Sequence, residues 1–278
     1  MKTRPATLAF VGPGLAWMLA LFLVPMLIIA TYSVWRVADY AIVPDFSAIN
    51  YARLTGKLYV DVTLRTLRVA LVTTGLALLI GYPVAFYLAQ RVRRFRTLLL
   101  ILVIMPLWTS YLVRTFAWML ILGRNGVINQ GLIGAGLVSE PIEWLLYSDF
   151  AVTLALVHIY MPYMILPLYA VLEKLDPRLI EAARDLGAGP ARIFFTVILP
   201  LSLPGVATGA IFVFVPSMGA FVTPELLGGT KGVMLGNIIA QQFGGTFEYP
   251  FGSALTMLLV AIVIAVAVIG LRFSGGRR

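Results

Sequence analysis

Cysteine is missing from this chain of 278 residues, histidine occurs once, and only 12% of the residues are charged. Without cysteine there is no disulfide framework, no thiolate metal site and no cysteine nucleophile, and the redox compartment stays open. The single histidine, His158, has no carboxylate partner in its apolar segment, which argues against the clustered acid, base and nucleophile of an intramembrane enzyme. The scarcity of charge excludes an ordinary soluble domain, where about 25% of residues are charged and roughly 45–50% apolar; here 60% are hydrophobic. The phosphate-binding pattern G-x-x-x-x-G-K-[ST] is also missing, because "GGTKG" at 228–232 has the wrong order. The net charge of +9 does not indicate nucleic acid, since the basic residues fall in short runs between apolar segments, as in a membrane-threaded chain.

Long apolar runs remain. A crossing helix needs roughly 20 mostly apolar residues, and six stretches qualify: about 8–32, 66–90, 97–122, 150–172, 196–222 and 251–271. They predict an all-α membrane protein with one membrane domain over 1–278. Lys2 and Arg4 precede the first run as in a signal peptide, but the run exceeds an h-region of about 7–15 residues and no A-x-A site follows. It is expected to be a retained span. The positive-inside rule places Lys2 and Arg4, Arg91, Arg93, Arg94 and Arg96, Lys174, Arg178, Arg184 and Arg192, and Arg272, Arg277 and Arg278 on the cytoplasmic side. Both termini are then cytoplasmic. Arg36, Arg53, Lys57, Arg65, Arg68, Arg114, Arg124 and Lys231 fall outside or near the outer interface. The outer loops 33–65, 123–149 and 223–250 are too short for folded domains, and "SVWRVADYAIVPDFSAINYARL" is expected along the membrane surface.

One cytoplasmic loop is punctuated for water. In "LDPRLIEAARDLGAGP" Asp176 can cap a helix, Pro177 occupies its first position and Gly187 suits its end. A helix of about ten residues follows, with Ile180, Ala183 and Leu186 on one apolar side, Glu181, Arg184 and Asp185 polar, and Ala182 and Ala183 small enough to admit another backbone. "GAGP" then turns the chain, and "ARIFFTVILPLSLPG" re-enters the membrane as a helix bent by Pro200 and Pro204.

The residues Glu181-Ala182-Ala183, Gly187, and Leu199-Pro200 after a fixed gap resemble the EAA loop of inner-membrane permease subunits of ATP-binding-cassette importers. Val197 stands where that pattern has Ile. "GYPVAFYLA" at 81–89, "YLVRTFAWMLILGRNGVIN" at 111–129 and "FVTPELLGGTKGVMLGNIIAQQF" at 221–243 are similar to the spermidine/putrescine-type permeases, the first of the two permease subunits. The resemblance implies the type I importer permease fold in a bacterial inner membrane, with Glu181, Ala182, Ala183, Asp185, Gly187 and Pro190 coupling it to an ATPase. It implies two ATPase subunits that carry ATP and Mg, a second homologous permease, and an external substrate-binding protein. No cofactor, metal or catalytic residue is expected on this chain. Opines, amino-acid derivatives and other small solutes are alternative cargoes to polyamines.

The candidate passage residues are Trp108, Tyr111, Trp118, Tyr160, Tyr163, Phe221 and Glu225. On a continuous third helix Trp108, Tyr111 and Trp118 would share a face, where they could hold ammonium groups by cation–π attraction or anchor the helix at the interface. Glu225 could attract a cation or cap a short helix. His158 is a functional candidate or a neutral side chain bonded to neighbouring backbone. Arg114 is expected to snorkel or to pair with an outer-loop acid; an anionic cargo would require it to face the passage. A secondary transporter would ordinarily need intramembrane acids or inverted repeats, and neither is evident.

Overall fold

The computed structural model describes residues 5–38, 41–92 and 94–275. Lys2, Arg4, Arg93, Arg277 and Arg278, which carry part of the orientation argument, lie outside them. In chain order the elements are α1 (Pro5–Ser33), β1 (Arg36–Ala38), β2 (Ala41–Val43), α2 (Ile49–Leu54), α3 (Lys57–Gln90), α4 (Arg96–Ile104), α5 (Tyr111–Leu122) and α6 (Val127–Gly134). There follow α7 (Asp149–Leu172), α8 (Pro177–Asp185), α9 (Pro190–Ile193), α10 (Leu199–Met218), α11 (Val222–Leu227), α12 (Leu235–Gly244) and α13 (Tyr249–Gly275). Among the described residues five helical stretches are long and apolar enough to cross a membrane, and the bent pair around α4 and α5 brings the number to six.

The chain packs as two units, Met1–Val60 with Ile238–Ala261, and Asp61–Asn237 with Ile262–Arg278. In the first, α1 is apolar on every side and its most apolar window has none of its residues buried, the pattern of a helix surrounded by lipid or by other chains. Its end is tied down by buried Asn50, whose Nδ2 donates to the carbonyls of Ser33 at 3.0 Å and Trp35 at 2.7 Å. Between them the expected surface segment folds into an antiparallel pair, β1 with β2, and then α2. Arg53 reaches Glu248 at 2.9 Å and lies 3.9 Å over the Phe251 ring.

In the second unit α7 is the central helix, with 61% of its most apolar window buried. Small residues let other helices close on it. A Cβ on Gly81 would lie 3.1 Å from Met164 Cγ, one on Gly205 3.1 Å from the Pro167 carbonyl, and one on Gly209 2.8 Å from Met164 Sδ. Met164, fully buried, is thus clasped between α3 and α10.

Three spans differ from the sequence expectation. The second begins at Lys57 rather than 66, because Asp61, Arg65 and Arg68 recur at helical spacing and both arginines bind Asp149 at the start of α7, Arg65 at 3.0 Å. The third is not one helix. α4 runs into a tight turn, Met105–Trp108, Thr109 and Ser110 are extended with ψ of 146° and 139°, and the arms meet at 92°. Pro106 lacks the N–H that would continue the ladder, and Thr109 Oγ1 donates to the Pro106 carbonyl at 2.8 Å, closing the turn. The fifth runs from Pro190 to Met218 through a π-helical turn at Phe194–Ile198. That wider turn accommodates the missing N–H and the ring of Pro200, and the helix ends at Gly219, short of the expected 222.

Candidate functional site

α8 forms where the loop sequence places it. Asp176 accepts from the Arg178 N–H at 2.9 Å, a cap that contributes about 1 kcal/mol. At the other end Gly187 adopts φ +77°. Its N–H donates to the Arg184 carbonyl at 2.9 Å, and the Ala188 N–H donates to that of Ala183 at 3.0 Å, the two bonds of a Schellman closure. The closure decides which residues face the protein. It folds Ala188 back beside Ala183, and both pack with Ile180 against the core. Leu186, expected on that side, is the last residue before the turn and is 87% exposed. Ala183 is therefore committed to its own chain, and only Ala182 stays open to a foreign backbone. Glu181, Ala182, Asp185, Gly187 and Pro190 are exposed. Buried Leu172 and Leu175 before α8, and Ile193 and Ile198 after it, fix both ends of the loop to α7 and α10.

A second constellation lies on α5, α7 and α11. The Tyr111 hydroxyl bonds Thr223 Oγ1 at 2.6 Å, and Thr115 Oγ1 approaches the same atom at 3.3 Å while donating to the Tyr111 carbonyl. This fully buried threonine pair pins α11 to α5. Tyr160 interacts with Tyr111 and Tyr163, and its hydroxyl donates to the Pro216 carbonyl at 3.3 Å. Tyr111, Tyr160 and Tyr163 are thereby brought together. Trp118, one face with Tyr111 on α5, donates through Nε1 to His158 Nδ1 at 3.2 Å, the rings edge to face. His158 is thus bonded to a side chain rather than to backbone.

Trp108 does not share that face, because the break at Thr109–Ser110 separates it from α5, and it is 76% exposed. Arg114 neither snorkels nor pairs with an acid among the described residues. The break sets it in the first turn of α5 beside the middle of α7, where Nη1 donates to the Ile159 carbonyl at 3.3 Å and Nε is buried without a partner. Glu225 caps nothing with its side chain. Its Oε2 accepts from Asn237 Nδ2 at 3.2 Å, and it stays exposed. Phe221, four residues earlier, is also exposed and accepts from Asn237 through its carbonyl at 2.7 Å.

Thr115, Thr223 and Asn237 were not among the sequence candidates, although Thr115, four residues after Tyr111 in an apolar run, was a readable signal of a buried hydroxyl bond. No group of three His, Asp or Glu side chains among the described residues could hold a metal.

Residues 77–275 match the family described as binding-protein-dependent transport system inner membrane component. The spermidine/putrescine transport system permease protein PotB of Haemophilus influenzae is 40% identical over 255 residues, covering 90% of this chain and 89% of that protein. PotB of Escherichia coli is 38% identical over 245 residues, 88% of this chain and 89% of its own. In fold, the chain resembles a crystal structure of a bacterial alginate ABC transporter in complex with alginate pentasaccharide-bound periplasmic protein, with a TM-score of 0.73 at 17% identity, over 96% of this chain and 93% of that one.

Proposed function

The chain belongs to the family of binding-protein-dependent transport system inner membrane components, and from that premise we propose that it is a permease subunit of an ATP-driven polyamine importer. It is a multi-pass inner-membrane transport component and not an enzyme. Its partners are two ATPase subunits that bind ATP and Mg, a second similar permease and an external substrate-binding protein, and both termini lie in the cytoplasm.

The observation that carries the mechanism is the mounting of α8. Its free face presents Glu181, Ala182, Asp185 and Leu186, while Ile180, Ala183 and Ala188 are packed on the core and the loop's ends continue into α7 and α10. An ATPase that grips the free face moves those helices, and the tight contact at Gly205 and Gly209 transmits the motion with little slack because packed interiors deform little. Closure of the ATPase pair around ATP opens the passage outward, and hydrolysis resets it.

The cargo assignment is supported by the PotB relatives and by Phe221 and Glu225. These side chains place an aromatic ring and an exposed carboxylate four residues apart, a combination that attracts ammonium groups by charge and by cation–π contact of about 0.5–2 kcal/mol. Tight selection then belongs to the binding protein, and the passage holds its cargo weakly enough to release it.

The test is to purify the tagged chain with its co-purifying subunits, reconstitute them in proteoliposomes and measure ATP-dependent uptake of labelled spermidine and putrescine beside a neutral and an anionic solute. Polyamine-selective uptake is expected. Uptake of the anion in preference, or recovery of the chain without an ATPase under conditions that preserve a known importer, would sink the proposal.

A further inference from the structure

Behind α8, on the side away from its exposed face, a cleft of about 580 Å³ opens toward the end of α3. Its walls are of two kinds. Phe86, Ile180 and Phe194 are apolar, while Arg91 from the chain just after α3 and Arg184 from α8 bring guanidinium groups to the same space. Of the nearby acids, Glu173 binds Arg96 at 2.9 Å, Asp176 caps α8, and Glu181 and Asp185 stand on the exposed face of α8. No carboxylate among the described residues lies within ion-pair distance of Arg91 or Arg184. Gln90 spends its amide N–H on the Leu172 carbonyl at 2.7 Å.

Two unpaired guanidiniums over an apolar slot suit a ligand that is anionic at one end and hydrocarbon at the other. The level in the membrane fits as well, because the apolar stretch of α3 ends at Gln90, where headgroups begin. Basic pockets at this cytoplasmic level take phosphate headgroups, and guanidinium forks match phosphate oxygens with charge-assisted hydrogen bonds. Inorganic phosphate would satisfy the arginines but leave the wall formed by Phe86, Ile180 and Phe194 against water. We infer that this cleft binds one anionic phospholipid, its phosphate between Arg91 and Arg184 and its acyl chain along that apolar wall. The lipid sits behind α8 and props it from the rear, so lipid composition tunes the coupling; this last step rests on the reading of α8 given under Proposed function.

The assembled complex, purified in detergent, is exchanged against phosphatidylglycerol or phosphatidylcholine, and retained lipid is counted by native mass spectrometry. The wild type is expected to retain about one phosphatidylglycerol per copy of this chain more than the Arg91→Gln/Arg184→Gln pair. The Arg91→Lys/Arg184→Lys pair keeps that lipid because it keeps the charge, and its presence in an intact complex controls for misfolding. Equal retention by the wild type and the Gln pair, or equal retention of phosphatidylcholine, overturns the inference. Displacement of the lipid by inorganic phosphate alone assigns the site to free phosphate and overturns it too. Lipid retention without spermidine uptake would count against the importer reading and leave the cleft assignment standing, so the two failures are distinct.

Discussion

Gly187 offers a direct measure of how much the loop around α8, and the coupling proposed for it, depends on one backbone conformation. It sits at φ +77° with nothing within 4 Å of a Cβ built on it, so within this chain a substitution costs through backbone strain and not through collision. An L-residue held in the left-handed region costs about 1–2 kcal/mol, and escape from that region sacrifices the bonds from Gly187 and Ala188 to the Arg184 and Ala183 carbonyls. A penalty of that size lowers the population of the closed loop about 5- to 30-fold. Asn tolerates the conformation better than Ala, and a β-branched residue is worst. The assay is uptake per ATP hydrolysed in proteoliposomes, for Gly187→Asn, Gly187→Ala and Gly187→Val. Coupling should fall in that order while membrane insertion and complex assembly are retained. Gly189, with an ordinary φ of −71° and equally open surroundings, is the control, and Gly189→Ala should behave as the wild type. Equal loss at both glycines would mean that the ATPase surface rejects any added methyl, and the strain argument would be refuted.

Gly209→Leu should insert normally yet lower the apparent Tm and abolish transport, because a Cβ there already meets Met164 Sδ at 2.8 Å and its carbonyl at 3.1 Å and overpacking costs about 1–3 kcal/mol; wild-type thermal unfolding would contradict this. Glu225→Gln keeps an acceptor for Asn237 and removes only charge, so the KM for spermidine should rise about fivefold, equivalent to about 1 kcal/mol, with basal ATP hydrolysis unchanged. An unaltered KM would return Glu225 to a structural role. Asp149→Asn loses the carboxylate shared by Arg65 and Arg68, but the Arg68 side chain is 67% exposed. The expected cost is therefore only about 1 kcal/mol, visible as a small drop in Tm, and a collapse of the fold would show that the pair has been undervalued.

What could be read in the sequence was mostly local. Asp176, Pro177 and Gly187 act on groups within a few residues, so the limits of α8 followed from their identities. Leu186 misled because helical periodicity does not include the turn beyond it, where the left-handed Gly187 substitutes Ala188 on the inner face. The break at Thr109–Ser110 was hidden because the run from 97 to 122 stays apolar throughout, and hydropathy does not register the N–H that Pro106 lacks. Arg65 and Arg68 looked like the outer margin of a span because their partner, Asp149, is on another helix. His158 and Arg114 found partners in Trp118 and the Ile159 carbonyl, contacts that depend on how α5 is set beside α7 after the break.

The bend in the third span has a consequence for assembly. At about 1.5 Å per residue, the 12 residues of α5 measure about 18 Å, well short of the roughly 30 Å of hydrocarbon. The extended Thr109–Ser110 joint therefore brings uncoiled peptide groups toward membrane depth, where lipid offers them no hydrogen bonds and only protein or enclosed water can. α4, on one side of that joint, buries none of its residues within this chain. The Thr109 N–H and the Ser110 carbonyl are already bonded, to the Pro106 carbonyl and the Arg114 N–H, so what the joint still asks for is cover over the Thr109 carbonyl and the Ser110 N–H, which a neighbouring subunit of the proposed complex would supply.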